Sequence, residues 1–180
     1  MIRLTGKYAF FYTEWPSNFY KTHFKWRAFG EEHDFFCTEQ AFMWAKAKYF
    51  NDNDIAVKIL LEQDNPMVCK QLGRQVRKYV DSWWSLVRYG FMRDVNYEKY
   101  VQDLALRTKL LDFKFDNKIF VEASPKDIIW GIGLAQDDPG IANESNWHGQ
   151  NLLGKVITQV RDEIIHDFGR NKLMEKDNAH

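Results

Sequence analysis

The chain has 180 residues with 25 basic and 25 acidic side chains, so its formal net charge is zero. This balance argues against broad electrostatic capture of nucleic acid or of an anionic membrane. Aromatic residues make up 16% of the chain and include seven tryptophans, a composition that excludes a disordered protein. The N-terminus has no secretory leader and no apolar run approaches the ~20 residues that cross a bilayer, so we expect a soluble, cytoplasmic protein.

Cysteine usage gives no indication of a zinc site or a disulfide framework. Cys37 and Cys69 form no CxxC pair and show no recurrent spacing with histidine. Two free thiols fit a reducing compartment. We therefore expect no metal and no cofactor.

The N-terminal third is rich in short aromatic runs that favour strands and are separated by turn residues. Strands are predicted at Lys7–Tyr12, Phe24–Phe29 and Glu32–Phe36, with a hairpin turn at Gly30. A small antiparallel sheet should therefore come largely from this part of the chain.

The middle of the chain is predicted to be helical. The first helix begins near Thr38, a suitable N-cap, and continues to Tyr49, because apolar residues recur at helical spacing between them. Further helices are predicted at Asp54–Leu61, Pro66–Tyr79, Ser82–Arg93 and Tyr97–Leu111.

The last third is predicted to contain one strand, one long loop and one helix. The strand is Lys118–Glu122, the Asp/Gly/Asn-rich surface loop is Gln136–Asn146, and the helix is Leu152–Phe168. We predict an α+β fold, mostly helical, as a single domain over residues 1–169. Residues 170–180 are polar and are expected to be frayed.

Helix Thr38–Tyr49 carries a carboxylate and an amine on one face. Glu39 and Lys46 are seven residues apart, which is two turns of helix. Apolar Phe42 and Met43 lie between them, and such surroundings can raise the pKa of a Glu and lower that of a Lys. Alternatively, both side chains extend to water at the edge of a buried stripe. We expect Glu39 to lie in the first turn rather than in the core.

A second group of candidates surrounds a Trp-Gly pair. Glu122 ends a predicted strand, Asp127 precedes the pair, and Gly131 and Gly133 flank Ile132. Acids at the ends of elements are often functional. Alternatively, Asp127 is a turn acid and Trp130 is a core ring.

Two further features could bind an anion. The segment from Gly149 through Asn151 enters the last helix, where free backbone N–H groups could hold a phosphate, although glycine-rich entry turns are common. Arg74 and Arg88 could bind phosphate through their guanidinium groups, or could be ordinary surface residues.

These motifs as a set resemble the NADAR family, which includes riboflavin-biosynthesis-intermediate N-glycosidases. The resemblance runs from about residue 8 to residue 165 in the family's order. The matching elements are Trp15–Phe19, Thr38–Phe42 with Lys46, Leu72–Arg74, Trp84 with Met92, Glu122 with Asp127, Trp130–Gly133, and Gly149, Asn151, Gly154 with Arg161.

The resemblance implies an N-glycosidase that acts on a phosphorylated N-riboside. Two substrate classes are known for the family: phosphoribosylated pyrimidine intermediates of riboflavin synthesis, and ADP-ribose attached to guanine bases in nucleic acid. It implies catalytic roles for Lys46, Glu39 and Asp127, with Lys46 as a Schiff-base nucleophile. Substrate-binding roles are implied for Asn18, Arg74, Trp84, Glu122, Trp130, Gly131, Gly149 and Asn151, and Arg88 is added to them for its guanidinium group.

Two departures from the smaller bacterial members favour the larger ligand, ADP-ribose. Gln40 stands where a His is usual, and residues 134–148 form a long insertion. We predict removal of ADP-ribose from a guanine-type base, with possible local contact to modified DNA or RNA and no protein partner evident. The alternatives are an N-glycosidase of riboflavin intermediates, direct attack by water, and a non-catalytic module that binds ADP-ribose or a nucleotide.

Overall fold

A computed structural model describes residues 1–169, and the polar tail predicted at 170–180 lies outside the described residues. The described residues form two units. The central unit is Asn18–Asp103, and the split unit joins Met1–Ser17 to the segment that begins at Leu104. The prediction of a single domain stays a prediction.

The elements confirm the predicted α+β class, with six α-helices and five short strands among the described residues. In chain order they are β1 (Arg3–Leu4), β2 (Tyr8–Phe11), β3 (Lys21–Ala28), β4 (Glu31–Cys37), α1 (Thr38–Tyr49), α2 (Asn53–Leu61), α3 (Pro66–Arg74), α4 (Asp81–Gln102), α5 (Leu104–Leu110), β5 (Ile119–Glu122) and α6 (Leu152–Phe168). Two 3₁₀ turns, Phe113–Phe115 and Glu144–Asn146, lie on either side of β5.

A hairpin opens the central unit, as predicted. Strands β3 and β4 pair antiparallel, and Ala28 lies opposite Glu31 across a two-residue turn. Both turn residues have positive φ, 52° at Phe29 and 78° at Gly30, which is the backbone that matches the twist of a tight hairpin. Buried and exposed residues alternate along β3, so one face of the hairpin packs into the core.

Helix α1 follows β4 without a break and is buried along most of its length. Its N-cap is Cys37 rather than Thr38, because the Cys37 sulfur accepts a hydrogen bond from the Gln40 N–H at 3.4 Å. Gln40 is itself buried, and its amide nitrogen donates to the carbonyls of Ile59 and Glu62. Its oxygen accepts from the Phe36 N–H, so this side chain joins three elements of the central unit.

Two predicted helix boundaries are wrong. Helix α3 ends at Arg74 instead of Tyr79, and Lys78 takes a left-handed φ of 58° that no helix interior allows. The two helices predicted between Ser82 and Leu111 divide at Asp103 rather than after Arg93. The Asp103 carboxylate accepts a hydrogen bond from the Thr22 hydroxyl at 2.5 Å, a contact that no local pattern reveals.

The split unit contains a three-stranded sheet in the order β1-β2-β5. Strands β1 and β2 are antiparallel, whereas β2 and β5 are parallel and pair Tyr8 with Ile119. The parallel pair joins segments more than a hundred residues apart in the chain. Helix α6 packs against β5 and has the bounds that the sequence predicts.

The insertion of residues 134–148 is anchored rather than loose. Ile141 is fully buried in a cluster with Tyr8 and Phe10, and Trp147 packs edge-on to Tyr8 with ring centres 5.3 Å apart. Glu144 accepts hydrogen bonds from Lys7 and from the Tyr8 hydroxyl. The insertion therefore adds a fixed layer to the sheet of the split unit.

Helix α6 meets β5 at unusually short range through Asn151 and Gly154. The Asn151 side chain accepts from the Glu122 N–H and donates to the Phe120 carbonyl, each at 3.0 Å. A methyl group on Gly154 would overlap the Phe120 carbonyl oxygen and the Asn151 amide. Only a residue without a side chain fits at that position.

None of the helices within residues 1–169 combines the length and the apolar character that a membrane span requires.

Gly154→Ala should lower the free energy of unfolding by at least about 2 kcal/mol, because the added carbon collides with backbone that cannot move away. Urea unfolding followed by tryptophan fluorescence measures the change. Gly90→Ala is the matched control, since Gly90 lies inside α4 with nothing within 4 Å of the added carbon. That control should gain about 0.5–1 kcal/mol. Equal effects of the two substitutions would contradict this account of the contact.

Asn151→Ala should cost roughly 3 kcal/mol of folding free energy, since it leaves two buried backbone groups unsatisfied and puts alanine at a φ of 53°. Asn117→Ala supplies the comparison, because Asn117 is exposed and has a similar φ of 57°. It should cost only about 1 kcal/mol. A loss at Asn151 no larger than that at Asn117 would mean that the two hydrogen bonds contribute little.

Candidate functional site

The structure gives Lys46 a defined place on α1. Its side chain is partly buried, and its Nζ donates to the Gly73 carbonyl at 2.9 Å. The same nitrogen lies 4.1 Å from the centre of the Tyr79 ring. The amine is thus held between the end of α3 and the segment that leads into α4.

Burial lowers the pKa of Lys46 below its ordinary value. The nearby carboxylates of Asp81 and Glu39 oppose this effect, whereas the Arg74 guanidinium adds to it. A lysine whose pKa is lowered has a larger fraction of neutral amine near pH 7, and only the neutral amine is a nucleophile.

Glu39 lies in the first turn of α1, as predicted, but the expectation that it lies outside the core is wrong. Only 5% of its surface is exposed. Its backbone N–H donates to the Asn18 carbonyl at 3.0 Å. A carboxylate at this position also interacts favourably with the positive end of the helix dipole.

Asn18 supplies a buried acceptor beside Glu39. The residue is 7% exposed, and its side-chain oxygen accepts no hydrogen bond from any of residues 1–169. Buried amide oxygens in proteins are nearly always hydrogen-bonded, because leaving one unsatisfied costs about 1–3 kcal/mol. An oxygen in this state fits a position that a ligand donor could fill.

The basic candidates of the central unit lie near the amine or near the Tyr79 ring beside it. Arg74 is the last residue of α3 and is exposed, while Arg88 is half-buried in α4. The charge of Arg74 acts on Lys46, and that of Arg88 acts on Tyr79. Glu39 and Arg74 therefore share the electrostatic surroundings of Lys46, whereas Arg88 reaches them only through Tyr79.

Trp84 occupies the aromatic core of the central unit. It is 4% exposed, stacks on Phe91 at 5.7 Å and packs against Phe42 at 5.2 Å. Its packing resembles that of a core ring, and its predicted contact with substrate stays a prediction.

The candidates of the split unit are Glu122, Asp127, Trp130, Gly131, Gly149 and Asn151. Asp127 forms a tight turn, because one of its oxygens accepts from the N–H groups of Ile129 and Trp130 at 2.9 and 2.8 Å. Glu122 is the last residue of β5 and is partly buried. Asp127 is therefore a turn acid, which is one of the two interpretations that the sequence left open for it.

The glycines of this group allow two backbone segments to touch. A side chain on Gly131 would come within 2.9 Å of the Asp127 carbonyl, and one on Gly149 would overlap the Gly131 carbonyl. Asn151 is 1% exposed, and both functional atoms of its amide are used at β5.

At the entry to α6 the structure supports the ordinary glycine-rich entry turn rather than a phosphate site. The N–H groups of residues 149–153 donate to the carbonyls of Ile132, Ile128, Gly131, Ile129 and Trp130 in turn. The N–H groups of Leu152 and Leu153 in the first turn are therefore already satisfied by the backbone of residues 128–132. The close approach of the two segments explains the glycine at position 149.

Gln40 has a structural role in the central unit. Both donors of its amide and its oxygen are used in hydrogen bonds there. The predicted link between this residue and the choice of substrate stays a prediction.

Sequence reasoning missed Tyr79 and Asp81 as neighbours of Lys46. The sequence predicts Tyr79 as the last residue of a helix, whereas it lies between α3 and α4. It also missed Lys99, where burial lowers the pKa to about 7. Lys99 has no exposed surface and lies 5.1 Å from the Tyr100 ring centre, so it is an amine of the core.

The chain is similar in sequence to several known proteins. Protein irg-1 of Caenorhabditis elegans is 42% identical over 132 residues, which are 72% of this chain and 61% of the worm protein, so the match spans less than two thirds of that relative. N-glycosidase R617 of Acanthamoeba polyphaga mimivirus is 34% identical over 168 residues, covering 88% of this chain and 97% of the viral protein.

The fold also matches a solved structure. The NMR structure of the E. coli protein YbiA superposes with a TM-score of 0.67 at 23% identity and covers 99% of this chain and 92% of YbiA. A model of the NADAR domain matches residues 5–165, which include every candidate of both units. The family that the motifs predicted is confirmed: the chain belongs to the NADAR domain family.

Proposed function

We propose that the chain is an N-glycosidase that hydrolyses the C1′–N bond of a phosphorylated N-riboside and removes ADP-ribose from a guanine-type base. The observation that carries this proposal is the Lys46 amine, whose pKa is lowered by burial and which lies two helical turns from the buried carboxylate of Glu39. The name of the viral relative, N-glycosidase R617, supports the same class of reaction.

Cleavage of an N-glycoside builds positive charge on the ribose and negative charge on the departing base. An enzyme therefore needs an anionic group near the sugar and a nucleophile or an activated water. Glu39 is the proposed anion, and its position in the first turn of α1 interacts favourably with a negative charge. Lys46 supplies the nucleophile.

In the proposed reaction the neutral Lys46 amine attacks C1′, and the C1′–N bond electrons leave with the base, which takes up a proton. The ring then opens as O4′ gains a proton and the lysine nitrogen forms a protonated Schiff base with C1′. Water adds to that carbon, and the C–N bond to Lys46 breaks, which releases the sugar and restores the amine. Glu39 stabilises the positive charge at each stage.

Asp127 is proposed as a second anionic stabiliser. One of its oxygens holds the turn at residues 127–130. Its contribution to the reaction would therefore come from the negative charge of the carboxylate, which the two N–H donors keep in place.

The basic residues of the central unit support a ligand with a diphosphate, as in ADP-ribose. The charge of the Arg74 guanidinium acts on Lys46, and that of the Arg88 guanidinium acts on Tyr79, whose ring contacts Lys46. Guanidinium groups suit a diphosphate because they bind phosphate oxygens bidentately.

The two mechanistic alternatives make different demands on Lys46. Direct attack by water needs only a carboxylate base, and the lysine would then orient the phosphate. A binding module would need the basic and aromatic groups but no amine of lowered pKa. The retention of Glu39 beside such an amine favours the enzyme that works through a covalent intermediate.

Borohydride added during turnover should trap a sugar adduct on Lys46, because reduction converts the Schiff base to a stable secondary amine. ADP-ribosylated guanine nucleoside is the substrate, and peptide mass spectrometry locates the adduct. Lys46→Met should abolish both adduct and turnover. Lys48→Met is the matched control, since Lys48 lies two residues farther along α1 and is paired with Glu31 at 2.7 Å. Turnover of the unchanged protein without any trapped adduct would favour direct attack by water.

ADP-ribose should bind more tightly than ribose 5-phosphate, because the second phosphate and the adenosine add contacts to guanidinium groups and aromatic rings. We expect a difference of at least about tenfold in Kd, measured by calorimetric titration of both ligands. Arg74→Gln and Arg88→Gln should reduce the difference in Kd between the two ligands. Arg107→Gln is the control and should leave that difference unchanged, because Arg107 is not among the candidate residues. Equal affinity for the two ligands would favour the alternative substrates, the riboflavin intermediates.

A further inference from the structure

Tyr79 makes the closest aromatic contact to Lys46 in the central unit. The lysine Nζ lies 4.1 Å from the ring centre, over the ring. The Tyr79 hydroxyl donates to the Asp81 carboxylate at 2.6 Å, and the ring meets Phe50 edge-on at 5.4 Å. Two contacts on the protein side therefore fix the orientation of a ring that is itself 40% exposed.

A positive charge over the face of an aromatic ring is attracted by the electrons of that face. The Gly73 carbonyl, 2.9 Å from the same nitrogen, also favours a charged donor. Both contacts stabilise the ammonium and fix its position. Attack on a sugar carbon needs the neutral amine. Because both contacts favour the ammonium, stronger contacts leave a smaller fraction of Lys46 as neutral amine.

We propose that Tyr79, anchored by Asp81, is a positioning residue that holds the Lys46 ammonium at the Gly73 carbonyl and limits the supply of neutral amine in the resting protein. The proposal rests on the proposed function only where it names Lys46 as the nucleophile. The contact itself and its effect on the amine stand on the geometry of the central unit.

The charges around the amine decide the sign of the effect. On its own helix Lys46 is faced by Glu39, from the end of α3 by Arg74, and from the start of α4 by Asp81. Burial lowers the pKa of Lys46, and the two carboxylates oppose it. The Tyr79 ring works with the carboxylates, so its removal should lower the pKa of Lys46 further.

The Tyr79 hydroxyl stays protonated over the pH range in which Lys46 would be labelled. Burial, together with the hydrogen bond to Asp81, raises the pKa of Tyr79 to about 12, while the charge of Arg88 acts in the opposite direction. Because the hydroxyl is protonated below that pH, it remains a donor to Asp81. A pH dependence of Lys46 between pH 6 and 10 therefore reports the amine and not the phenol.

Competitive labelling of the full chain with a trace of acetic anhydride tests the proposal. The extent of acetylation of the Lys46 peptide is measured by mass spectrometry at a series of pH values, without substrate. In Tyr79→Leu the midpoint should move to lower pH, so that labelling on the acid side is roughly threefold to tenfold faster. The limiting rate at high pH should stay the same, because that rate reports access to the reagent.

Matched variants distinguish the effect of the Tyr79 ring from other effects of substitution at this position. Tyr79→Phe keeps the ring but loses the hydrogen bond to Asp81, so its midpoint should lie between those of the unchanged protein and of Tyr79→Leu. Tyr79→Met replaces the ring with a different apolar side chain and should lower the pH of the labelling midpoint as Tyr79→Leu does. Trp83→Leu removes an exposed ring from the first turn of α4 and should have no effect on Lys46.

An unchanged midpoint in both ring-free variants would overturn the proposal, and so would a change confined to the limiting rate. In turnover experiments with the ring-free variants, the acid limb of the kcat/KM profile should move to lower pH by the same number of pH units as the labelling midpoint. The labelling experiment needs no substrate, so failure to trap an adduct in the unchanged protein would reject the proposed reaction while leaving the result on Tyr79 intact.

Discussion

The close approach of helix α3 to helix α1 is the constraint on which the candidate site of the central unit depends. A side chain on Gly73 would overlap the Met43 side chain, so the two helices can pack as they do only because this residue is glycine. The same approach places the Gly73 carbonyl within 2.9 Å of the Lys46 amine. A lysine near the end of a largely buried helix thus gains a fixed partner and loses part of its hydration.

The pKa of Lys46 depends on a balance between desolvation and local charge. Burial disfavours the ammonium, while Glu39 and Asp81 favour it. The Tyr79 ring lies over the ammonium, where its electrons add to the second effect.

Several motif residues of the split unit hold its backbone together. Asn151 and Gly154 join α6 to β5, and Gly131 and Gly149 let two segments pass at contact distance. One carboxylate oxygen of Asp127 accepts hydrogen bonds within its own turn. A motif can therefore recur because its backbone must follow one path, and ligand contact need not be the reason.

Local pattern by itself determined the hairpin at Gly30, the bounds of α6, and the placement of Glu39 and Lys46 two turns apart on α1. These features depend on turn chemistry and on helical spacing, which short stretches of sequence contain. The family followed from the order of several motifs together. Only the tertiary structure decided that β2 pairs with β5 in parallel, that α4 continues to Gln102, and that the N–H groups entering α6 are occupied. The same holds for Tyr79 and Asp81 as partners of the Lys46 site, because each of these outcomes depends on contacts between residues far apart in the chain, which no local pattern encodes.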